Sequence, residues 1–366
     1  MSKTHKTTIA VGMSGGVDST IAALMLKSQG YHVIGLTMKI WDDSIKCAST
    51  KSGCYGPGEA HDIADAERAA EKLGIEHHVI DLRDEYRKTV IDYFRQEYSQ
   101  GRTPNPCVQC NTKIKFGILL EKAASCGLHY DLFATGHYSR IIYEPDKEKC
   151  LLKRGIDPKK DQSYFLYRLN QKQLKSVLFP LGDYYKEEIR VMAEASGFAE
   201  LIEKRESQDF LEWDNYDTLL GKDSQPGNIL DENGNIIGKH AGVTRYTVGQ
   251  RKMLNLAGMK EPFYVLHIDA VNNEIVAGPK RLLLKDSLIA EDLHWITSLS
   301  SILDKKIHAQ IRYRSKPSEC KIYPEGQNDG IRIKFTKPQE AITPGQSIVF
   351  YDGDIVAGGG IIRNAL

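Results

Sequence analysis

No apolar run among the 366 residues approaches the roughly 20 that a membrane-spanning helix needs. Neither sign of charge dominates: 49 Lys and Arg stand against 48 Asp and Glu, a net of +1, so no global field marks a nucleic-acid binder. There is no internal repeat and no low-complexity tract, which excludes a solenoid and a disordered linker protein. A secretory h-region is missing from the opening MSKTHKTTIAVGMSGG, which passes straight into a strand-like run, and a cytoplasmic address is the expectation. An even cysteine framework is missing as well. Seven cysteines in a chain of cytosolic character are not a disulfide scaffold, so close pairs are read as metal-binding or catalytic.

What is present is the composition of a soluble globular protein, 41% hydrophobic and 27% charged, with length for two or three domains. Over the first 140 residues strand and helix signals alternate: TTIAVGM, DSTIAALMLKSQG, HVIGLTMKI, EAHDIADAERAAEKLG, EHHVIDL, DEYRKTVIDYFRQEYSQG, TKIKFGILLEKAASCG and YDLFATGH. This implies an α/β fold with a doubly wound parallel sheet and ligands at the carboxyl ends of its strands. YSRIIYEPDKEKCLLKRGID then reads as a hairpin, with helices expected over 171–178 and 184–196. Residues 205–280 are turn-rich. From about 285, KIHAQIRYR, GIRIKFT, SIVFYDG and IVAGGGII alternate as in a small β-barrel. The expected domains are 1–204, 205–284 and 285–366. Between Asp304 and Lys337 nine basic residues face four acidic ones, a surplus of five, which fits a phosphate-facing surface or a solvated basic face.

VGMSGGVDST is the strongest local signal. A strand delivers Gly12, Met13, Ser14, Gly15, Gly16, Val17, Asp18 and Ser19 to a helix start, where glycines admit a phosphate chain and unpaired N–H groups attract it. Ser14 and Ser19 are candidate hydroxyl donors. Asp18 suits a magnesium ion carried by a nucleotide. The Gly-Lys-Ser/Thr ending of a Walker loop is missing, as is the dinucleotide glycine pattern. The string resembles the pyrophosphatase (PP) loop of ATP enzymes that activate a carbonyl or carboxyl oxygen as its adenylate, and pyrophosphate clamping supplies much of that catalysis.

PNPCVQCN, residues 104–111, places Cys107 and Cys110 three apart. Alone, the pair fits a disulfide switch, half a zinc site, part of an iron–sulfur cluster or a carrier of reactive sulfur.

GMSGGVDS, GRTPNPCVQCNTKIKFG, ATGHY, KDQSYFLY, TVGQRK and IRYR together, in this order and approximate spacing, resemble the bacterial tRNA-specific 2-thiouridylases over nearly the whole chain. The resemblance implies a PP-loop domain of the adenine nucleotide alpha hydrolase-like type, a small central domain and a C-terminal β-barrel that holds tRNA. It implies ATP-dependent replacement by sulfur of the carbon-2 oxygen of the wobble uridine, position 34, in tRNAs for Lys, Glu and Gln, the sulfur coming from a persulfide donor protein. It assigns ATP to Gly12 through Ser19, Met38 and Gly136, the target base to Asn105, Pro106 and Cys107, the nucleophile to Cys110, and tRNA contacts to Lys160, Asp161, Gln162, Arg312 and Tyr313. Arg312 would grip phosphate and Tyr313 would stack on an unpaired base.

Three departures stand out. Cys107 replaces the family's Asp, giving Cys-x-x-Cys. The family's second, distant cysteine is missing: in ESQDFLEW its place falls to Phe210 or Leu211. Met253 and Asn255 replace glycines of a turn. Two sulfur chemistries follow. Cys110 carries a persulfide that Cys107 resolves as a disulfide, with a helix start expected to lower the thiol pKa. Alternatively Cys54, Cys107 and Cys110 hold a [4Fe-4S] cluster, which the paired gain and loss of cysteines favours. A zinc site from Cys47, Cys54, Cys107 and Cys110 is the structural alternative. Cys126, Cys150 and Cys320 read as packing residues. Two other functions compete: a PP-loop enzyme acting on a small molecule, and a non-catalytic RNA-binding or sulfur-relay protein, against which the intact SGGVDS argues.

Overall fold

The computed structural model describes residues 6–45, 47, 51–204, 209–213, 216–220, 225–303, 305–325 and 330–366. The expected boundary at 204/205 and the Glu206–Gln208 part of ESQDFLEW therefore lie outside the described residues. The chain divides into two compact units: 1–89 with 107–214 and 354–356, and 90–106 with 215–353 and 357–366.

In the first unit the strands, in chain order, are β1 (Thr8–Gly12), β2 (His32–Lys39), β3 (Gly53–Tyr55), β4 (Glu76–Asp81), β5 (Leu132–Thr135), β6 (Ser139–Glu144), β7 (Lys149–Arg154), β8 (Val177–Leu178) and β9 (Asp209–Leu211). Five make a sheet in the order β4-β2-β1-β5-β8, every neighbouring pair parallel. The apolar runs are buried on both faces, as a parallel sheet requires: Ile9, Ala10 and Val11 of β1 are wholly inaccessible. Helix α1 (Val17–Ser28) lays Ile21, Ala22 and Ala23 on the core, and α2 (Glu59–Leu73) lays Ala66, Ala69 and Ala70 on it. Alanines at these positions let the helices approach closely. Gly74, in the left-handed region at φ 59°, ends α2.

The chain runs outward from β1 through β2 to β4, then returns to start β5 on the other side of β1. The strand order thus reverses between β1 and β5, and that crevice is where such sheets bind ligands. Both the Gly12–Ser19 loop and Gly136 leave strands there. Strands β6 and β7 form the expected antiparallel hairpin. The expected helices are Gln171–Ser176 and Lys186–Ala195; the first stops short because Val177 and Leu178 join the sheet as its fifth strand.

The second unit contains β10 (Gly227–Leu230), β11 (Ile236–His240), β12 (Phe263–Asp269) and β13 (Glu274–Pro279), in the sheet order β11-β10-β13-β12. It also contains the barrel: β14 (Leu284–Trp295), β15 (Ile307–Gln310), β16 (Ser318–Pro324), β17 (Ile331–Glu340), β18 (Ser347–Asp352) and β19 (Ile355–Ala365), which closes because β14 pairs with both β17 and β19. Alternation of buried and exposed residues, clearest in β17, fills the interior with Ile, Phe and Ala. Met253 and Asn255 adopt φ 70° and 48°. The turn demands left-handed backbone at both places where glycine was missed.

Candidate active site

The phosphate loop is built by short-range hydrogen bonds. Ser19 is buried, its hydroxyl donating to the Gly16 carbonyl at 3.1 Å and accepting the Ser14 N–H at 3.2 Å. Thr20 donates to the same carbonyl at 3.0 Å. Ser19 thus closes the loop from within, and the exposed Ser14 is the hydroxyl presented outward. Gly15, at φ 70°, backs onto α2: a Cβ there would stand 2.3 Å from the Asp62 carbonyl oxygen. Lys204 completes that support, donating to the Gly15 carbonyl at 3.2 Å and pairing with Asp62 at 2.7 Å and with Asp65. Gly136 backs onto the helix start, where a Cβ would come within 2.8 Å of the Asp18 carbonyl carbon and 2.9 Å of the Ser19 nitrogen. Met13 is buried, its N–H donating to the Leu36 carbonyl at 2.8 Å, so it serves the loop through its backbone. Met38 lies near the end of β2, beyond which Glu59 accepts the N–H groups of Ile40 and Trp41 at 2.6 and 2.9 Å. The chain thus offers a cradle of backbone N–H groups at a helix start, with one carboxylate, which fits a magnesium-bound polyphosphate.

Sequence reasoning missed two residues that reach this loop, and a third that follows Gly136. Lys186 and Tyr138 both reach Asp18, the lysine at 2.7 Å and the phenol hydroxyl at 2.7 Å. His137, bonded to Thr135 at 2.7 Å, is held well below the usual imidazole range by burial and by the Lys115 charge. His137 and Tyr138 belong to the recognised ATGHY string, but nothing local marks Lys186.

The helix carrying the cysteines begins at Pro106, runs α-helical to Gln109, is π-helical over Cys110–Ile118 and returns to α over Leu119–Ser125. π-Helical insertions of this kind concentrate at functional sites. Burial pushes the Cys110 thiol up to about 11; Lys115 pulls it down and Cys54 raises it further. The direction is opposite to the lowered pKa expected of a helix start, because desolvation outweighs the pull of Lys115.

Cys54 reaches this neighbourhood through β3, which pairs in parallel with β9: Gly53 opposes Asp209 and Tyr55 opposes Leu211. The strands approach so closely that a Cβ on Gly53 would lie 2.4 Å from the Leu211 carbonyl carbon. Cys54 therefore stands on the strand beside Phe210 and Leu211, where the resemblance places the second cysteine. Tyr86, only 1% exposed, stacks on Tyr55 at 5.4 Å. Its phenol is pushed well above 10 by burial first and then by Cys110, Cys54 and Cys107. The three thiols share this buried phenol as a neighbour. Among the described residues, however, no three His, Cys, Asp or Glu come together as a metal-holding group. No step is therefore routed through an iron–sulfur cluster or a zinc ion. Cys126, expected as a packing residue, is exposed; Cys150 and Cys320 are buried as expected.

Of the expected RNA contacts, Asp161 is turned inward. Its carboxylate pairs with Arg154 at 2.9 Å and accepts the N–H groups of Gly155 and Ser163, both at 3.1 Å. Gln162 accepts the Tyr138 N–H at 3.0 Å, and Lys160, Asp161 and Gln162 are all half-buried. β15 ends at Gln310, so Arg312 and Tyr313 follow it in a turn. The Arg312 guanidinium donates to Thr343 Oγ1 at 2.6 Å and to the Ala341 carbonyl, so it braces the barrel. Asn105 and Pro106 are buried, with Pro106 at the helix start. Just before them, Thr103 donates to the Pro344 carbonyl at 2.8 Å, and Gln346 donates to the Thr103 and Pro104 carbonyls at 3.0 Å each.

Three family descriptions match the chain: the tRNA methyl transferase HUP domain over residues 7–211, the tRNA methyl transferase PRC-barrel domain over 219–279 and the aminomethyltransferase β-barrel domain over 285–362. The tRNA-specific 2-thiouridylase MnmA 1 of Caldanaerobacter subterraneus subsp. tengcongensis is 46% identical over 97% of both chains. The enzyme of the same name, MnmA, from Acetivibrio thermocellus is 44% identical over 98% of this chain and 99% of its own. Among solved structures, a 4-thiouridine synthetase in complex with RNA and ATP is similar at 15% identity and a TM-score of 0.34, covering 54% of this chain and 43% of that one.

Proposed function

The chain belongs to the tRNA-specific 2-thiouridylase family, a family of sulfurtransferases, and on that premise we propose that it installs sulfur at carbon 2 of the wobble uridine, position 34, of tRNAs for Lys, Glu and Gln. The loop Gly12–Ser19 with Met38 and Gly136 binds magnesium–ATP, and a persulfide donor protein charges Cys110. The division of labour follows the domains 1–204 for activation, 205–284 between, and 285–366 for tRNA. Asn105, Pro106 and Cys107 border the target base, and Lys160 contributes its charge to tRNA binding.

The observation that carries this reading is the continuity of the two chemistries. Lys115 acts on both Cys110 and His137, and His137 follows Gly136, which backs onto Asp18 and Ser19. One cation thus bears both on the thiol and on the residue that follows Gly136. ATP converts the uracil carbon-2 oxygen to its adenylate with release of pyrophosphate. The terminal sulfur of the Cys110 persulfide, ionised more readily than a thiol held near 11, attacks carbon 2, and AMP leaves with the oxygen. Cys107, three residues before Cys110 and so on its face of the helix, then attacks the Cys110 sulfur. The S–S bond breaks, its electrons stay with the uridine as the 2-thio group, and a Cys107–Cys110 disulfide remains. An external dithiol reduces it before the next turnover.

Cys110→Ser tests the assignment. Thiolation, followed as retardation of product tRNA in a mercury-containing gel, is expected to vanish while ATP binding is kept. Thiolation near the parent rate overturns the role of Cys110.

A further inference from the structure

Asp18 is the one carboxylate of the phosphate loop, and its oxygens are already engaged. Lys186, at the first position of its helix and 4% exposed, places Nζ 2.7 and 2.8 Å from Oδ1 and Oδ2. Tyr138, buried, donates its hydroxyl to Oδ1 at 2.7 Å, and its ring centre lies 5.9 Å from the ammonium. The lysine is anchored at its root: its N–H donates at 3.0 Å to Asp157, a buried carboxylate that also takes the Lys159 N–H at 2.9 Å. A four-carbon stem on a fixed root allows the ammonium to swing without moving the helix.

A buried ammonium is retained only where its charge is matched. Before nucleotide arrives, Asp18 supplies that match. A magnesium ion taking the same oxygens would face the ammonium within a few ångströms, where like charges repel strongly in a half-buried site. Magnesium alone therefore has no place. Magnesium that arrives with a polyphosphate does, because the phosphate oxygens receive the displaced ammonium.

The geometry points to Lys186 as the cation that magnesium exchanges with: metal–nucleotide takes Asp18, and the lysine passes to the incoming phosphates. Lys186 is thus a positioning residue that makes metal and nucleotide bind together. This rests on reading Gly12–Ser19 as the ATP loop.

The test is calorimetric binding of ATP to the full chain across a magnesium titration, in the parent and in Lys186→Met. With the competing ammonium removed, the magnesium midpoint for ATP binding is expected to fall by roughly tenfold, and binding of magnesium alone is expected to strengthen. ATP affinity at saturating magnesium is expected to drop, because the phosphates lose a cation. An unmoved or raised midpoint overturns the exchange, since a merely structural lysine would not shift it downward. Should Lys186→Met not fold, Lys186→Gln keeps donors without the charge, and the same shift is expected. A parent that binds no ATP at any magnesium concentration instead overturns the ATP-loop reading.

Discussion

The hydroxyl of Thr37 donates to the carbonyl of Met13 at 2.7 Å, tying β2 to the residue where β1 gives way to the phosphate loop. Because that proton is committed, His77 Nε2, 2.8 Å from the same oxygen, must be the donor to it. Thr37→Val keeps the shape and strands the Met13 carbonyl in a buried position. A loss of about 1–3 kcal/mol is expected, read as a lowered denaturant midpoint, together with weakened ATP binding. Nucleotide affinity equal to the parent's would show that the bond does not hold the loop.

Two half-buried imidazoles give the protein an acid limit. Burial is the main cause holding His77 below 6.5, and burial with Lys115 holds His137 well below it. Unfolded histidines take up protons near pH 6.5 while these do not, so the unfolded state binds more protons below that point. Stability is expected to be complete above about pH 6.5 and to fall as pH drops below it. Urea unfolding at about pH 7.5 and about pH 5.5 measures the difference; equal stabilities at the two would contradict it.

Asp161 is expected to behave as a scaffold residue rather than an RNA contact. Asp161→Ala leaves Arg154 and two backbone N–H groups without their acceptor, at a cost of about 2–3 kcal/mol. Thermal denaturation reads that loss. Lys160→Ala should raise the KM for tRNA more than Asp161→Ala does. The reverse pattern would return Asp161 to the RNA surface.

Met253 holds φ 70°, a conformation that costs a non-glycine residue roughly 1–2 kcal/mol. Glycine removes that cost and adds about 0.5–1 kcal/mol of unfolded-chain entropy. Met253→Gly is therefore expected to be neutral or stabilising by up to about 1 kcal/mol. A clear loss of stability would mean that the side chain contributes more than the strain removes. Nearby, Tyr246 donates to the Met253 carbonyl at 3.0 Å and fixes this turn.

The features legible in the sequence are those whose physics is local. The Gly12–Ser19 loop forms between neighbouring residues, so glycine, serine and a helix start a few positions apart suffice to announce it. Alternating strand and helix signals foretold the parallel sheet, and period-two alternation in segments such as IRIKF foretold the barrel. The left-handed turn at 253–255 was marked by the two glycines missing there. Where distance along the chain grows, the sequence is silent. Asp18 and Lys186 are 168 residues apart, and KEEI reads as an ordinary helix start. Cys54 lies beside Phe210 only because β3 pairs with β9. Cys110 promised an acidic thiol from its local spacing, but its pKa is decided by burial, which is a property of everything packed around it. Arg312 and Asp161 look like RNA-facing groups in isolation and are spent on internal partners. The sequence by itself determined which chemistries the chain can offer, because side-chain type and short-range backbone geometry are written locally. Only the tertiary structure decided which groups remain available for them, because burial and long-range pairing arise when distant segments meet.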